Sequence, residues 1–184
     1  DDVKYFDREN KVYIESQKII YNEVTNTIFS KSDTYIKYED DYKINSSDVL
    51  YNRTSNEILS NQFTKITDKN QNKFQFNKGL IFELVPEIIS SKEVNVVDEN
   101  LNSYFFEDSR IKLKINEIAG KEIFINFENS FFGNKKNDPL LKGKSVISNN
   151  DKTKIYKTVF STCNKLNKNC RGWEIQSNLF THNK

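Results

Sequence analysis

A nine-residue pattern, Ile-x-Ser-x-x-apolar-x-Tyr/His-Asn, recurs along this chain and constrains its fold more than any other feature. It reads Ile-Glu-Ser-Gln-Lys-Ile-Ile-Tyr-Asn at residues 14–22, Ile-Asn-Ser-Ser-Asp-Val-Leu-Tyr-Asn at 44–52 and Ile-Gln-Ser-Asn-Leu-Phe-Thr-His-Asn at 175–183. Looser copies lie at 106–114 and 141–149, with a degenerate one around 76–83. A second signature, Ile-x-Ser or its variant Ile-Ala-Gly, sets Ile28, Ile58, Ile88 and Ile118 thirty residues apart at each step. Equal steps of this size mean stacked copies of one supersecondary unit, each burying an apolar face against the next.

The unit reads as two bent strands and two turns. In a strand of period two, Ile14 and Ser16 share one face, and so do Ile19 and Tyr21, but the step from 14 to 19 is odd. Keeping both pairs inward requires one extra residue near Gln17-Lys18, and again near Ser47-Asp48 and Asn178-Leu179. A bend at the same place in every copy predicts strands that wrap around a folded-over sheet. Asn22 and Asn26, matched by Asn52 and Asn56, bracket turns, because Asn tolerates left-handed backbone and caps its own turn through its side chain. Strands are predicted over 12–21, 27–38, 57–67, 87–97 and 117–127, the last four with a polar pair after Ile-x-Ser that reads as another bend. Residues 1–11 read as a loose start or a short edge strand, and 128–139 as a longer loop. No composition shift marks a linker, so residues 1–184 read as one domain.

Composition agrees with an all-β chain. Ala119 is the only alanine, methionine is absent, and aromatics reach 13%, a balance that favours strands. The 28 basic and 26 acidic residues leave a net charge of +2, so no field for binding nucleic acid is implied. No apolar run approaches the roughly 18 residues of a membrane-crossing helix. The start at Asp1-Asp2 is what a processed N-terminus and an arbitrary starting point would both give.

Chemistry-bearing constellations are sparse. The single histidine, His182, occupies the slot of Tyr21 and Tyr51 and reads as an aromatic wall residue. Cys163, Cys170 and His182 lack a fourth metal ligand. Adjacent carboxylates such as Asp40-Asp41 and Glu107-Asp108 fall on opposite strand faces or in turns, unlike an acid–base couple. No glycine-rich phosphate loop is present. The expectation is a protein that is not an enzyme and has no catalytic residues, metal or cofactor. Asn45-Ser46-Ser47 and Asn52-Arg53-Thr54 match the glycosylation pattern, but the repeat explains both.

What remains is a set of apolar columns. Equivalent slots collect Ile14, Ile44, Phe106, Leu141 and Ile175; then Ile19, Val49, Leu80, Ile111, Val146 and Phe180; then Tyr21, Tyr51, Phe82 and Leu113. The later strands add Ile28, Ile58, Ile88 and Ile118, then Ile36, Ile66, Val96 and Phe124. Stacked strands would bring these within about 5 Å per step. The columns fit either an ordinary sandwich core or an open apolar trough. Cys163 and Cys170 are open to a mutual bond, to two free thiols, or to a partner outside the chain; the local loop would contribute roughly 2.5 kcal/mol.

The C-terminal block Lys157-Thr158-Val159-Phe160-Ser161-Thr162-Cys163, then Cys170, then Trp173-Glu174-Ile175-Gln176-Ser177 and Thr181-His182-Asn183 resembles the segment that precedes the outer-membrane barrel in the LptD family of lipopolysaccharide-assembly proteins. The repeat likewise resembles that of the OstA-like domains shared by LptA, LptC and LptD. Ser16, Ser46 and Ser177 stand where the family usually has Ala, a minor departure, Phe160 replaces Tyr, and the barrel is not in this chain. The resemblance implies an open β-jellyroll, or taco, of two antiparallel sheets. It implies that the columns line a groove shielding lipopolysaccharide acyl chains. It further implies a periplasmic location, attached to the outer membrane through the barrel. The implied partners are an LptA-like bridge protein at the N-terminal edge strand, with the barrel and an LptE-like lipoprotein on the C-terminal side. Cys163 would bond either to a barrel cysteine or to Cys170. Two alternatives are a stand-alone bridge protein of the LptA or LptC kind, and a secreted parallel β-helix that binds carbohydrate.

Overall fold

The asparagines build the turns expected of them. Asn22 Oδ1 accepts the backbone N–H groups of Val24 at 3.0 Å and Thr25 at 3.1 Å. Asn52 repeats this with Thr54 at 2.9 Å and Ser55 at 3.1 Å, and Asn149 does so with Asp151 and Lys152. Asn26 and Asn56 leave the first two turns in left-handed conformation, with φ of 51° and 55°. After each reversal the chain pairs with the strand it has just made.

The computed structural model describes residues 2–39, 41–69, 72–97, 102–127, 140–161 and 173–183. The two cysteines, Cys163 and Cys170, and the segment 128–139 lie outside the described residues. The strands are β1 (Val3–Asp7), β2 (Val12–Asn22), β3 (Thr27–Tyr38), β4 (Tyr42–Asn52), β5 (Glu57–Ser60), β6 (Thr64–Asp68), β7 (Lys73–Phe76), β8 (Leu80–Glu83), β9 (Ile88–Val97), β10 (Ser103–Lys112), β11 (Glu117–Asn126), β12 (Leu140–Ser148), β13 (Lys152–Ser161) and β14 (Glu174–Asn183), with one 3-10 turn at Leu113–Ile115. Among the described residues they form one 14-stranded sheet in the order β1-β2-β3-β4-β5-β8-β9-β10-β11-β12-β13-β14, with β6 and β7 bridging β4 to β9. Neighbouring strands are antiparallel throughout, as β2–β3 and β13–β14 illustrate. This excludes the parallel β-helix. It also replaces the two expected sheets by one sheet folded over on itself.

The fold line crosses the strands where parity required it. The β2–β3 register shifts between Ser16 and Lys18, and the β3–β4 register between Ser30 and Asp33. Left-handed residues mark the same line in later strands: Asp48, Glu93, Glu122 and Lys157, with φ of 52°, 52°, 46° and 51°. In the third unit the bend becomes a break. The single strand expected over 57–67 is split into β5 and β6, and the copy around 76–83 into β7 and β8. The crease divides the sheet into two leaves. The first leaf carries Val12, Ile14, Ile36, Ile44, Ile66 and Val94 inward; the second carries Ile28, Val49, Tyr51, Ile58, Phe82 and Ile89.

Two columns slip by one residue relative to the thirty-residue arithmetic. Ile88 stands opposite Glu83 and Lys112, whereas Ile89 stands opposite Phe82 and Ile111 and is fully buried. Ile88-Ile89-Ser90-Ser91 satisfies Ile-x-Ser in two registers, and burial selects the second. Phe124 likewise pairs with Phe105 and Lys142, with the Lys142 ammonium 5.2 Å from its ring centre, while Ile123 and Ile125 turn inward. A one-residue slip exchanges faces in any strand, so Ile88 and Phe124 leave the inner wall.

The serines of the repeat line the crease, where a bent strand exposes backbone groups to an apolar interior. Ser16 Oγ donates toward the carbonyls of Lys31 and Asp33, each at 3.0 Å. Thr34 Oγ1 reaches Ser30 Oγ at 2.9 Å and Ser16 Oγ at 3.3 Å. Ser46 Oγ lies 2.8 Å from Ser60 Oγ and 2.7 Å from Thr64 Oγ1, and Ser91 Oγ donates to the Gly79 carbonyl. All but Ser91 are buried. Ser16 and Ser46, read from sequence as minor departures from Ala, thus satisfy buried polar groups that Ala would leave unpaired. Replacing Ser46 by Ala should lower stability by about 1–3 kcal/mol, read as a lower urea midpoint at unchanged slope; no change in midpoint would mean that the hydroxyl ladder does not hold the crease.

Candidate functional site

Where the two leaves meet across the N-terminal half, two clasps close them. Asp7, at the end of β1 on the first leaf, is 3% exposed. Its Oδ2 accepts the Tyr51 hydroxyl and Arg53 Nε from the second leaf, both at 2.9 Å, and Asn10 Nδ2 at 3.2 Å. Its Oδ1 accepts the backbone N–H groups of Glu9 and Asn10. Burial alone would raise the Asp7 carboxyl, but hydrogen bonds from Arg53, the Asn10 backbone, Tyr51 and the Asn10 side chain outweigh it and hold the pKa below its usual value. The second clasp is aromatic. Phe82 meets Tyr38 edge-on at 5.4 Å and Tyr42 at 6.2 Å, the two tyrosines stack at 6.1 Å, and the Tyr38 hydroxyl donates to the Leu84 carbonyl at 3.0 Å.

Beyond the clasps the leaves part around a cavity of about 800 Å³. Its walls come from both leaves: Phe74, Val96, Tyr104, Phe106, Ile123 and Ile125 on the first, and Ile111, Leu113, Ile118 and Val146 on the second. Its mouth is polar. Asp41, Asp68, Lys69 and Asn72 stand on the rim of the first leaf, and Glu87, Lys114 and Asn116 on that of the second. Two features of the cavity wall are set locally. Gly120 takes the slot held elsewhere by serine, and a Cβ there would lie 2.5 Å from the Phe106 ring, so the missing side chain lets that ring cross the crease. Ser109, opposite Gly120, has no hydrogen-bond partner among the described residues, a gap in the hydroxyl ladder, which resumes where Thr158 Oγ1 donates to the Ser177 carbonyl at 3.2 Å. Leu113 is turned inward by the 3-10 turn, which closes on left-handed Asn116 at φ 49°.

The expected groove residues therefore divide. Ile111, Leu113, Ile118 and Val146 line the cavity. Ile14, Ile28, Ile44, Val49, Tyr51, Ile58, Leu80 and Phe82 are buried in a packed core, and Ile19 packs partly buried against it. Tyr21 is exposed at the edge, because β1 covers only the Val12–Ser16 part of β2. Ile175 and Phe180 are on β14, all of whose residues are exposed. His182 sits there opposite Thr153. Sequence reasoning missed Phe74, Tyr104, Ile123 and Ile125. The alternations Phe74-x-Phe76, Tyr104-x-Phe106 and Ile123-x-Ile125 were present as a signal. Asp7 and Arg53 carried none, since each is one charge in a polar stretch.

No protein-family model matches this chain, and no curated protein matches it. The class that fold and site define is an all-β, creased single-sheet protein with a cavity between its leaves that has apolar walls and a polar mouth.

Two outcomes follow from this geometry. Asp7→Ala should destabilise by about 3 kcal/mol, because Tyr51 and Arg53 lose a buried acceptor. A carboxyl whose folded pKa is lowered stabilises above its usual value of 3.8 and loses that contribution as pH falls through the folded value. The acid limb of the stability profile should accordingly be flatter in Asp7→Asn, and an unchanged limb would remove the clasp from the account. Val49→Phe in the packed half should cost roughly 1–3 kcal/mol by overpacking. Val146→Phe, whose ring can enter the cavity, should cost less in the same urea titration; equal losses would mean that the cavity is not open space.

Proposed function

We propose that this chain is a lipid sheath, the periplasmic OstA-like part of a lipopolysaccharide-assembly protein of the LptD kind. The observation that carries the reading is the apolar cavity held between two leaves of one creased sheet. Each exposed CH₂ costs about 0.8 kcal/mol in water, so acyl chains crossing an aqueous compartment need a wall of this composition. The Cys–Trp block and the repeat supply the particular family. No chemistry is asked of the protein: acyl chains lie between the leaves, sugars stay outside, and the lipid moves on.

The clasps sharpen this reading. With Asp7–Tyr51–Arg53 and Tyr38–Phe82 closed, lipid enters from the side at the mouth of the cavity and not along the whole length of the columns. The sheet ends supply the docking edges, since unpaired strands accept further strands. At the N-terminal end, β1 and the uncovered Ile20 and Tyr21 of β2 receive an LptA-like bridge. At the other end, β14 holds no Lys, Arg or Pro and exposes Ile175, Leu179 and Phe180 beside Trp173; it leads to the barrel and its LptE-like lipoprotein.

Photo-crosslinking tests the sheath. A photoreactive residue at Leu113 or Val146 should capture lipopolysaccharide in cells, whereas one at Ile28 or Val49 in the packed half should not. Absence of lipid adducts at every cavity position would refute the reading.

A further inference from the structure

The near-even charge of the chain is not spread evenly over its surface. On the outer face of the first leaf, side chains form two cross-strand rows. In one, Tyr35, Asn45, Lys65, Gln75, Asn95 and Phe105 stand opposite one another in turn. In the other, nearer the cavity mouth, Lys37, Lys43, Thr67 and Lys73 do the same. The two rows hold four lysines and no carboxylate. Bordering carboxylates are engaged: Glu15 by Lys4 at 3.6 Å and the Tyr13 hydroxyl at 2.7 Å, Glu39 by Lys11 at 3.0 Å, Asp41 by Lys69 at 2.7 Å, and Asp68 by the amide groups of Asn72. Lys37 and Lys43 are directly opposed, which costs stability on a sheet. Lys37 has a contact of its own, whereas Lys43, Lys65 and Lys73 form no ion pair among the described residues, and all three are exposed. An anion lying over them would relieve the repulsion. Beside Tyr35 the first row opens into a groove of about 680 Å³ lined by Glu15, Asp33, Tyr35, Asn45, Phe63 and Lys65. The Lys65 ammonium lies 5.4 Å from the centre of the Phe63 ring. Amides and carboxylates pair with hydroxyl groups, and aromatic rings cover the C–H faces of sugars.

We propose that this outer face holds the sugar head of the cargo, a phosphorylated oligosaccharide, with its phosphates at Lys43, Lys65 and Lys73 and its rings along Tyr35, Phe63 and the amides of the first row. The path to it is short. Tyr42 and Phe74 line the cavity, and Lys43 and Lys73 follow or precede them by one residue, turned to the other side of the same strands. A head that leaves the mouth over the rim of the first leaf therefore meets these two lysines at once. Beyond them, neighbouring strands advance by about 4.8 Å, close to the length of one sugar unit, so successive rings meet successive side chains of a row. The inference rests on the reading of the cavity as a lipid site and adds where the anionic head of that lipid is held.

The test titrates the chain calorimetrically with the phosphorylated core oligosaccharide released from lipopolysaccharide by removing its acyl chains, and with the same oligosaccharide after dephosphorylation. The native chain should bind the phosphorylated form about tenfold more tightly, the size expected of two or three exposed charge pairs, and the preference should shrink as salt is added. Lys43→Glu combined with Lys73→Glu should abolish it. Lys121→Glu combined with Lys154→Glu, the same change of charge away from the two rows, should leave it intact. Lys43→Glu faces Lys37 and should not lower the urea midpoint, which separates lost binding from lost folding. Val146→Phe should spare the oligosaccharide and weaken intact lipopolysaccharide. No binding of the oligosaccharide, or binding indifferent to the Lys43 and Lys73 substitutions, with lipid still captured at Leu113, would overturn the outer face and leave the sheath standing. A single-stranded oligonucleotide bound as tightly would reduce the face to general attraction for polyanions and overturn the sugar assignment. Oligosaccharide bound through Lys43 and Lys73 without lipid capture at any cavity position would overturn the sheath, and with it the placing of these sugars as the head of its cargo.

Discussion

A β-sheet can fold back on itself only if the backbone groups released along the fold line find partners, and that constraint governs this protein. A bulge turns each strand and leaves carbonyls facing an apolar interior. The buried hydroxyls of Ser16, Ser30, Thr34, Ser46, Ser60 and Thr64 take them up, together with one another, in a ladder across successive strands. Each such bond is worth only about 1 kcal/mol net, but an unmet buried group would oppose the bend at every strand. Because the crease is satisfied, the two leaves can face each other from a single sheet.

Once the leaves face each other, what lies between them depends on side-chain size and on what reaches across. In the N-terminal half, large side chains meet in the middle: Tyr51, Phe82 and Tyr38 span the gap, and Asp7 fastens β1 to the opposite leaf. The Asp7 carboxylate is tolerable so deep because five donors surround it, which offsets the penalty of its burial. Among the described residues of the C-terminal half no such span is present. The leaves stay apart, and the same kinds of side chain that fill the core elsewhere become the wall of a cavity. One repeat thus yields a solid end and a hollow end.

For the lipid sheath proposed above, this division decides how cargo would be held. A trough open along its whole length would hold lipid only loosely, while a fully packed sandwich would hold none. In that proposal a short cavity with a polar mouth confines hydrocarbon and leaves the head in water. The charges of the rim sit on turns or, for Asp68, at the end of a strand, positions free to vary without disturbing the ladder or the core.

The sequence by itself determined the all-β class, the two-strand unit, the asparagine turns and the bend within each strand, because periodicity and parity are local properties. The bends predicted at Gln17-Lys18 and Ser47-Asp48 fall where the register breaks in β2 and where Asp48 turns left-handed; at Asn178-Leu179 the β13–β14 register runs on without a shift, and the left-handed residue is Lys157 on the neighbouring strand. Register at ambiguous positions needed the partner strand: Ile88 and Ile89 are equivalent on paper, and only their cross-strand neighbours, Glu83 and Lys112 against Phe82 and Ile111, separate them. The clasp at Asp7, the role of Ser16 and Ser46 at the crease, and the split of the columns into core and cavity belong to the tertiary structure alone. Each depends on the distance between leaves that are far apart along the chain, and no repeat pattern encodes that distance.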